Sequence, residues 1–425
     1  MVGATAVDGA VDGAVDGVLG GVVAEVGDGA TGLAAGVRGE TVGPGSGSAV
    51  VVRLPHAPSE TAAQTASAAT TALTTPPAVS VPLTAGIARS SQMPPDDAGP
   101  VVCTEVAHVS EDVGVTQAHP TTIPHGRTAR RLDWVHLPPM VRRVVETRLG
   151  SRVVEAESQD SGFTPGFASV LTCADGSRHF VKAASVKAQR MFADSYRLEA
   201  RKLRSLPPSV RAPRLQWVLD EDDWVVIGIE FVAGRAPHRP WTPDDLAAAS
   251  AMLVDTAHAL TPPPGMGLDS FADEFAGFPA YWEDLGNVAH AEDAAALAAR
   301  YDEVTRGNTL VHTDVRDDNL LITDDGHVYL CDWNWPVVGA AWIDSLLLLI
   351  GPRGDGLDVD AHIAAHPLLS AVDPEAIDIV LALVTGYFLR SAREPSPTTS
   401  PWMREGQRWQ GEVCWTWLAE RRGWI

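Results

Sequence analysis

Hydrophobic and polar positions from residue 137 onward follow patterns that predict a strand-rich region and then a helical one. Valines and leucines recur at helical spacing up to Gly150, which predicts a first helix ended by a glycine C-cap. Three apolar runs follow at residues 153–158, 168–173 and 178–183, separated by glycine-containing loops and turns. Short apolar runs between turn signals predict strands, so we expect an antiparallel three-stranded meander.

A long amphipathic helix is predicted after the meander, at residues 189–206, where two prolines end it. Its apolar residues and Glu199 fall on one stripe, so Glu199 is expected to face inward. Two further apolar runs, at 215–219 and 224–231, predict a second strand pair. The rest of the chain is mostly helical by the same criterion, with predicted helices at residues 244–260, 278–288, 291–304, 374–393 and 404–420.

The N-terminal third of the chain differs in composition from the rest. Residues 1–130 are rich in Gly, Ala, Val, Thr, Ser and Pro and poor in aromatic residues, so they cannot bury enough surface to offset the entropy of ordering. We therefore predict a largely disordered extension at 1–130, with the apolar run 49–52 as a candidate local strand. An α+β fold is expected to follow, with a small antiparallel-sheet lobe containing one long helix at 131–233 and a larger helical lobe at 234–425.

The chain is strongly acidic, with a formal net charge of −22 and an isoelectric point near 4.9. This charge argues against nucleic acid or an anionic membrane surface as the partner, although it tolerates a cationic small molecule. The N-terminal apolar stretches are interrupted by aspartates and lack a basic flank. Neither a secretory signal nor a membrane span is therefore predicted.

The cysteines are few and widely separated: Cys103, Cys173, Cys331 and Cys414. They form no C-x-x-C pair, so the sequence suggests neither a zinc site nor a disulfide framework. Reduced thiols in a cytoplasmic protein are the simplest interpretation.

The most informative cluster of polar residues runs from His312 to Asp332 and brackets an apolar hairpin. An Asp-Gly turn at 325–326 between two apolar runs predicts the hairpin. Asn319 enters this hairpin and Asp332 leaves it, so antiparallel pairing is expected to set the two side chains close together. Their oxygens suit hard divalent cations, and we therefore predict that Asn319 and Asp332 bind Mg²⁺.

Asp314 lies in the loop that leads into this hairpin. Phosphoryl transfer needs a carboxylate that orients the attacking hydroxyl and accepts its proton, and Asp314 is placed for that task. His312 is expected to brace the loop by hydrogen bonds, and Arg316 to reach the transferring phosphate. Taken singly, such residues also fit turn caps and a core histidine, but their combination at these offsets favours catalysis.

The spacing of five residues from Asp314 to Asn319 resembles the catalytic loop of protein kinases. The His-x-Asp sequence followed by Asp332-Trp333 is more similar to the aminoglycoside phosphotransferase and choline kinase branch of the kinase-like superfamily. The resemblance covers roughly residues 137–424. It implies a two-lobed protein-kinase-like fold that binds ATP and Mg²⁺ between the lobes and transfers the γ-phosphate to a hydroxyl of a small molecule.

The resemblance also assigns two N-lobe residues to the nucleotide. Lys182, in the third predicted strand, would hold the α- and β-phosphates and pair with Glu199. The alternative is a surface lysine on an edge strand. The chain has only three lysines and uses arginine nearly everywhere else, which favours the functional interpretation.

A loop and a strand end complete the implied nucleotide site. Gly162 and Gly166 stand where the family has its nucleotide-covering loop, although the full G-x-G-x-x-G pattern is missing and an ordinary hairpin turn is the alternative. Glu230 and Val232, at the end of the last N-lobe strand, stand where the family's hinge receives adenine. Asp344 is similar to an acidic residue that supports the active-site loops in this family, and a helix N-cap is its alternative.

Two other functions stay open. Asn334 replaces the glycine of protein kinases and the glycine loop is degenerate, so a nucleotide-binding pseudokinase acting as a regulatory module is one alternative. A protein kinase is the other, although the chain lacks an Ala-Pro-Glu signature and an obvious activation segment between Asp332 and Asp344. The acceptor is not identified by the sequence. The C-terminal tryptophans are predicted to pack a helix onto the core rather than to bind a ligand: Trp402, Trp409, Trp415, Trp417 and Trp424.

Overall fold

Five antiparallel strands and two helices form the N-terminal lobe. The computed structural model describes residues 117–162 and 166–425, so the predicted extension up to residue 116 and its candidate strand at 49–52 lie outside the described residues. The elements of this lobe are α1 (Pro139–Leu149), β1 (Val153–Ser158), β2 (Phe167–Cys173), β3 (Arg178–Ser185), α2 (Arg190–Ser205), β4 (Leu215–Glu221) and β5 (Trp224–Glu230). The strand order is β1-β2-β3-β5-β4. The predicted meander and second strand pair therefore join into one sheet, because β5 pairs with β3.

Alternation along β3 decides which side chains each face of this sheet carries. Val181 and Ala183 belong to a buried cluster with α1, to which that helix contributes Val141 and Val145. Since successive side chains point to opposite faces of a strand, Lys182 points to the other face. That face is covered by α2, which is where the lysine finds its partner.

The predicted inward stripe of α2 is confirmed. Phe192, Tyr196, Glu199 and Leu203 are buried at spacings of three to four residues, and Glu199 is only 1% exposed. A carboxylate buried this deeply needs a cationic or hydrogen-bonding partner. The helix therefore carries a polar contact inside an otherwise apolar stripe.

The C-terminal lobe is mostly helical. Its elements are α3 (Pro243–Ala259), α4 (Phe271–Glu274), a 3₁₀ helix (Phe278–Leu285), α5 (Ala291–Ala298), α6 (Tyr301–Thr305), β6 (Thr309–Val311), a 3₁₀ turn (Asp317–Asn319), β7 (Leu320–Ile322), β8 (Val328–Leu330), β9 (Val337–Gly339), α7 (Ile343–Leu348), α8 (Ile350–Gly354), α9 (Val359–Ala365), α10 (Pro374–Ser391) and α11 (Met403–Arg422). Helix α10 is buried on nearly all sides and packs against α11. None of the described helices is long and apolar enough to cross a membrane. The predicted α+β architecture, with the sheet lobe first and the helical lobe second, is confirmed.

Two predicted helices of this lobe differ from the structure. The first is the 3₁₀ helix Phe278–Leu285, and the second divides into α5 and α6. Apolar spacing over two or three turns does not separate a 3₁₀ from an α-helix. The strand pair β6–β9 was not predicted, because strands of three residues are too short for alternation to be recognised.

Residues 117–131, here called the strap, run along the C-terminal lobe and then over the loop between β1 and β2. The strap begins with 2.7 Å hydrogen bonds from the His119 N–H to the last carbonyl of α8 and from Trp409 Nε1 to the His119 oxygen. Near its end, Thr128 Oγ1 donates to the Gly162 oxygen at 2.6 Å. The sequence analysis assigned all residues up to 130 to the extension. It did not distinguish the strap from the residues before it, because a segment without helix or strand periodicity carries no recognisable pattern.

Candidate active site

The hairpin of β7 and β8 brings Asn319 and Asp332 together. Leu320 pairs with Leu330, and the Cys331 N–H donates a 2.8 Å hydrogen bond to the Asn319 oxygen. Asn319 directly precedes the paired residues and Asp332 closely follows them. An amide and a carboxylate are thus neighbours at one end of a hairpin.

Asp314 is held in place from two sides. Arg316 Nε donates to Asp314 Oδ1 at 2.9 Å, while Asn319 Nδ2 donates to Oδ2 at 3.0 Å and to the main-chain oxygen at 2.9 Å. Arg316 also pairs with Asp318 at 3.1 Å. Asp314 is only 6% exposed, so its carboxylate is fixed in a site with little water. A carboxylate held this way can orient a hydroxyl group without first reorganising.

His312 contacts the hairpin from inside the core. Its Nε2 lies 2.9 Å from the Cys331 oxygen, and its Nδ1 accepts the Asp314 N–H at 3.2 Å. These partners assign the proton to Nε2, with Nδ1 as the acceptor. The ring also packs edge-on against Trp333. A ring with 0% exposure does not reach a substrate, so we assign His312 a positioning role rather than a catalytic one.

Asp344 supports the same loop through its main chain. Its carboxylate accepts the N–H groups of His312 at 2.7 Å and Thr313 at 2.9 Å, whereas the N-cap of α7 is Trp342. Thr313 has a φ of 68° and Asp332 a φ of 62°. For residues with a β-carbon this left-handed conformation costs about 1–3 kcal/mol each and is concentrated at functional sites. The hydrogen bonds from Asp344 help to hold one of these strained residues.

Lys182 links the two lobes. Its Nζ lies 2.8 and 3.0 Å from the two Glu199 oxygens and 2.8 Å from Asp332 Oδ1. Burial alone would lower the pKa of Lys182, but the carboxylates of Asp332 and Glu199 outweigh burial and raise it. Burial would likewise raise the pKa of Asp332, yet the lysine holds it below its ordinary value. Lys182 and Asp332 both line a cleft whose walls come from the two lobes. This cleft therefore contains a charged amine beside a charged carboxylate.

The two glycines of the loop between β1 and β2 have different environments. Gly162 lines the cleft and has a φ of 81°. Gly166 has a φ of 123° at the start of β2, and a Cβ at this position would lie 3.1 Å from Tyr196 Oη. Residues 163–165, between the glycines, lie outside the described residues. Gly166 is thus required by backbone conformation and by packing, while Gly162 is the one that meets the cleft.

Glu230 and Val232 lie in the wall of the cleft. The Glu230 N–H donates to the Arg214 oxygen at 2.8 Å, and the Glu230 side chain accepts the Arg214 N–H at 3.1 Å. Apolar side chains complete the lining: Val170, Phe180, Leu203, Ile229, Phe231 and Leu321. Apolar walls beside main-chain polar groups suit a flat heteroaromatic base.

Asn334, the departure that favoured a pseudokinase, connects Asp332 to α2. Its side chain donates to Asp332 Oδ1, and its N–H donates to the Asp332 oxygen at 2.8 Å. Ser195 Oγ donates to Asn334 Oδ1 at 3.1 Å, and Lys202 Nζ donates to the Asn334 oxygen. Sequence patterns missed this contact because the α2 partners are 139 and 132 residues away.

The donor set of the cleft fits a magnesium nucleotide. Asp332 and Asn319 offer a carboxylate and an amide oxygen, and Mg²⁺ usually takes one or two protein ligands and completes its shell with phosphate oxygens and water. Within residues 117–162 and 166–425, no cluster of three or more His, Cys, Asp or Glu side chains is arranged to hold a metal alone. Mg²⁺ held by Asn319 and Asp332 would neutralise part of the charge of the phosphate oxygens that complete its shell.

A second cavity adjoins the loop that follows Asp314. Its volume is about 70 Å³, against about 190 Å³ for the cleft that Lys182 and Asp332 line. The strap and residues 315–318 form part of its wall, together with Arg239, Trp241, Asp355 and Trp409. Trp409 was predicted only to pack onto the core. The two cavities share two lining residues, which mark their junction: Ser161 and Asp318.

Asp318 is a polar residue of this junction that the sequence reasoning missed. Its Oδ2 pairs with Arg316, while its buried Oδ1 has no hydrogen-bond partner among the described residues. Burial raises the pKa of Asp318 to about 6; Arg316 opposes this shift, and the charges of Asp317 and Asp314 add to it. A carboxyl group perturbed in this way and located in a cleft is a functional candidate. The only signal in the sequence was the run of acids before Asn319.

Comparison with known proteins gives likeness in structure but not in sequence. No protein-family model and no curated protein matches the sequence significantly. Solved structures do match, among them an aminoglycoside phosphotransferase from Alicyclobacillus acidocaldarius, with 17% identity, coverage of 64% of this chain and 92% of that chain, and a TM-score of 0.43. A choline kinase from Streptococcus pneumoniae matches with 14% identity, 67% and 99% coverage, and a TM-score of 0.46.

A spectinomycin phosphotransferase in complex with AMP matches with 11% identity, coverage of 65% of this chain and 97% of that chain, and a TM-score of 0.47. The chain is similar in structure to small-molecule kinases. At such low identity only the general arrangement is comparable, so function has to be inferred from this chain's own side chains.

Proposed function

We propose that the protein is an ATP-dependent phosphotransferase that phosphorylates a hydroxyl group of a small molecule. The observation that carries this proposal is the contact of Lys182 with Asp332 in the cleft. Asn319 lines the same cleft, and its side chain donates hydrogen bonds to Asp314. Each of these groups has its position set by a charged partner: Glu199 for the lysine, the lysine for Asp332, and Arg316 of the same loop for Asp314. Fixed charges around a cleft are what phosphoryl transfer requires, since the reaction depends on positioning and electrostatic stabilisation.

The acceptor binds in the second cavity, here called the acceptor cavity. The loop from His312 to Asn319, here called the catalytic loop, supplies the chemistry on it. Asp314 orients the acceptor hydroxyl and takes its proton as the new O–P bond forms and the bond from the γ-phosphorus to the bridging oxygen breaks, so that ADP leaves with that oxygen. His312 and Arg316 position this carboxylate. The contacts of Arg316 with Asp314 and Asp318 favour that role over the predicted contact with the transferring phosphate.

The nucleotide is held by the N-terminal lobe and the hairpin, in the cleft lined by Lys182 and Asp332, here called the nucleotide cleft. Lys182 binds the α- and β-phosphates, and Glu199 orients the lysine. Asn319 and Asp332 would hold Mg²⁺. The main chain at Gly162 covers the phosphates, and the main chain at Glu230 and Val232 receives adenine, a role supported by the apolar walls on either side.

ATP as the donor implies a cytoplasmic reaction. The cysteines within the described residues, Cys173, Cys331 and Cys414, are free thiols, in line with that compartment. Cys103 lies outside the described residues.

Asp314→Asn tests the proposal, because it keeps the shape of the side chain and removes the base. Acceptors are first found by screening hydroxylated metabolites and antibiotics, including aminoglycosides, macrolides, choline, homoserine and sugars, for acceptor-dependent ADP release. In the variant, this turnover should fall by roughly 10²–10⁴-fold while ATP affinity stays unchanged. Asp324→Asn, in the exposed hairpin turn, is the matched control and should behave as wild type. Turnover retained by Asp314→Asn contradicts the assignment.

The same screen separates the two alternatives. A chain that binds ATP and Mg²⁺ but releases no ADP with any acceptor supports the pseudokinase. Phosphate that appears on Ser or Thr of added proteins, and on no small molecule, supports a protein kinase.

A further inference from the structure

Arg131, the last residue of the strap, lies in the nucleotide cleft. Its Nη2 donates a 2.8 Å hydrogen bond to the Ser161 oxygen and is 3.6 Å from the position that a Cβ would take on Gly162. Asp318 Oδ2 is 4.0 Å from that same position. Since Ser161 and Asp318 are the residues shared by both cavities, the guanidinium group lies at the junction of the cleft with the acceptor cavity.

Arg131 differs from the other cations of the site in its partners. Lys182 and Arg316 each lie within 3.1 Å of two carboxylates. Arg131 forms no ion pair with any residue of the described ranges, and its buried Nε has no hydrogen-bond acceptor there. A guanidinium group carries five N–H donors in a planar fork that matches phosphate oxygens. Among the described residues, its one hydrogen bond, to a carbonyl, leaves both the positive charge and most of the donors unmatched.

The position along the cleft identifies which phosphate would be the partner. Lys182 is the cation placed for the α- and β-phosphates, next to Asp332. The phosphate that is transferred has to lie where the nucleotide cleft meets the acceptor cavity, because the attacking hydroxyl enters from the acceptor side. Arg131 lies at this junction.

We propose that Arg131 binds the γ-phosphate of ATP and stabilises its negative charge during transfer. The inference rests on the proposed phosphotransferase function and adds to it a binding residue from the strap. No bond to Arg131 forms or breaks, since the side chain acts only as a charged hydrogen-bond donor. The proposed role of Arg131 also compensates for the incomplete glycine pattern of the loop between β1 and β2. The guanidinium group supplies hydrogen-bond donors that the main chain of a full glycine pattern would supply.

The test is a series of nucleotide affinities, measured by calorimetry on the full chain in the presence of Mg²⁺. ATP, ADP and AMP are each titrated into wild type, Arg131→Met, Arg131→Lys and Arg130→Met. Arg130 is the matched control, because it is an exposed neighbour whose N–H bond to the Thr399 oxygen survives the substitution. Arg131→Met should weaken ATP about 10–100-fold, ADP less than about 3-fold and AMP not at all, the ATP change being about 1.4–2.8 kcal/mol. Arg131→Lys, which keeps the charge and loses the fork, should fall between Arg131→Met and wild type.

Two results would overturn the inference while leaving the phosphotransferase proposal intact. Equal weakening of ATP, ADP and AMP would mean that Arg131 only anchors the loop through Ser161. Unchanged affinities would mean that it has no part in nucleotide binding. If Arg131→Met does not fold, the ratio of ATP to ADP affinity in Arg131→Lys decides, and a wild-type ratio overturns the inference. A wild-type chain that binds none of the three nucleotides would instead refute the proposed function itself.

Discussion

The nucleotide cleft and the acceptor cavity are built from different kinds of segment. Lys182 lies on β3, Glu199 on α2 and Asp332 just after β8, so the charged groups of the cleft sit on or next to regular elements. The acceptor cavity is walled largely by the strap and by residues outside regular elements, such as Arg239 and Asp355. Phosphate chemistry needs charges at fixed positions, which paired strands and a packed helix provide. The strap contains no helix or strand whose repeating hydrogen bonds would hold it, so the acceptor wall is expected to be the more easily perturbed side.

The largest effect is expected at Lys182. In Lys182→Met, Glu199 stays buried at 1% exposure without its cationic partner, and breaking such a pair costs about 3–5 kcal/mol of stability. Urea denaturation of the full chain measures this change. Lys187→Met is the control, because Lys187 is exposed and its pair with Asp223 contributes at most about 1 kcal/mol. Equal effects of the two substitutions would mean that the buried pair does not stabilise the cleft.

A smaller effect is expected on the acceptor side at Arg239. Its Nη2 donates to Asp317 Oδ1 at 2.8 Å, and Asp317 is buried. Arg239→Met should lower the free energy of unfolding by about 2 kcal/mol and raise the KM for the acceptor, because a wall of the cavity loses its charge partner. ATP affinity, measured by calorimetry, should not change. A parallel loss of ATP affinity would show that the two regions do not behave independently.

Local loosening of the strap is expected in Trp409→Phe. The substitution removes the 2.7 Å hydrogen bond from the indole Nε1 to the His119 oxygen, worth about 1 kcal/mol. Amide hydrogen exchange should speed up in residues 117–126, while the core helix α10 keeps its protection. Trp424→Phe, which has no hydrogen bond to the strap, should leave these amides unchanged. Faster exchange throughout the chain would argue that Trp409 stabilises the whole lobe rather than the strap.

The smallest expected effect concerns Asp355 and pH. Burial raises the pKa of Asp355, although the Trp241 N–H and Arg239 oppose the shift. The folded state therefore binds this proton more tightly than the unfolded state, so the contribution of Asp355 to stability is present below the ordinary pKa of about 3.9 and is lost as pH rises through the higher folded value.

Asp355→Asn carries no titrating proton and keeps an acceptor for the Trp241 N–H. Relative to wild type, it should gain stability as pH rises above about 4 and the wild-type carboxyl group loses its proton. Urea denaturation at several pH values measures the difference. A difference that does not vary with pH would contradict the raised pKa.

Part of the site could be predicted from the sequence, because the patterns that predict it lie within short segments. The Asp-Gly turn predicted the hairpin that sets Asn319 beside Asp332, and helical spacing predicted that Glu199 faces inward; the structure agrees with both placements. The contacts of Asn334 and Arg131 were missed, because their partners lie far away along the chain: Asn334 contacts α2, and Arg131 contacts Ser161. Helix and strand periodicity does not predict contacts between such distant residues.

The sequence by itself determined the order of α1, α2 and the five strands of the N-terminal lobe, the face of β3 that carries Lys182, and the residue types from His312 to Asn319. Each of these follows from spacing along one segment, where period-2 and period-3.6 patterns and turn residues act. Only the tertiary structure decided that His312 is fully enclosed, that Asp318 stands where two cavities meet, and that the strap brings Arg131 to the same place. Burial and neighbouring charge are set by packing between distant segments, and it is packing that gives each polar side chain its environment.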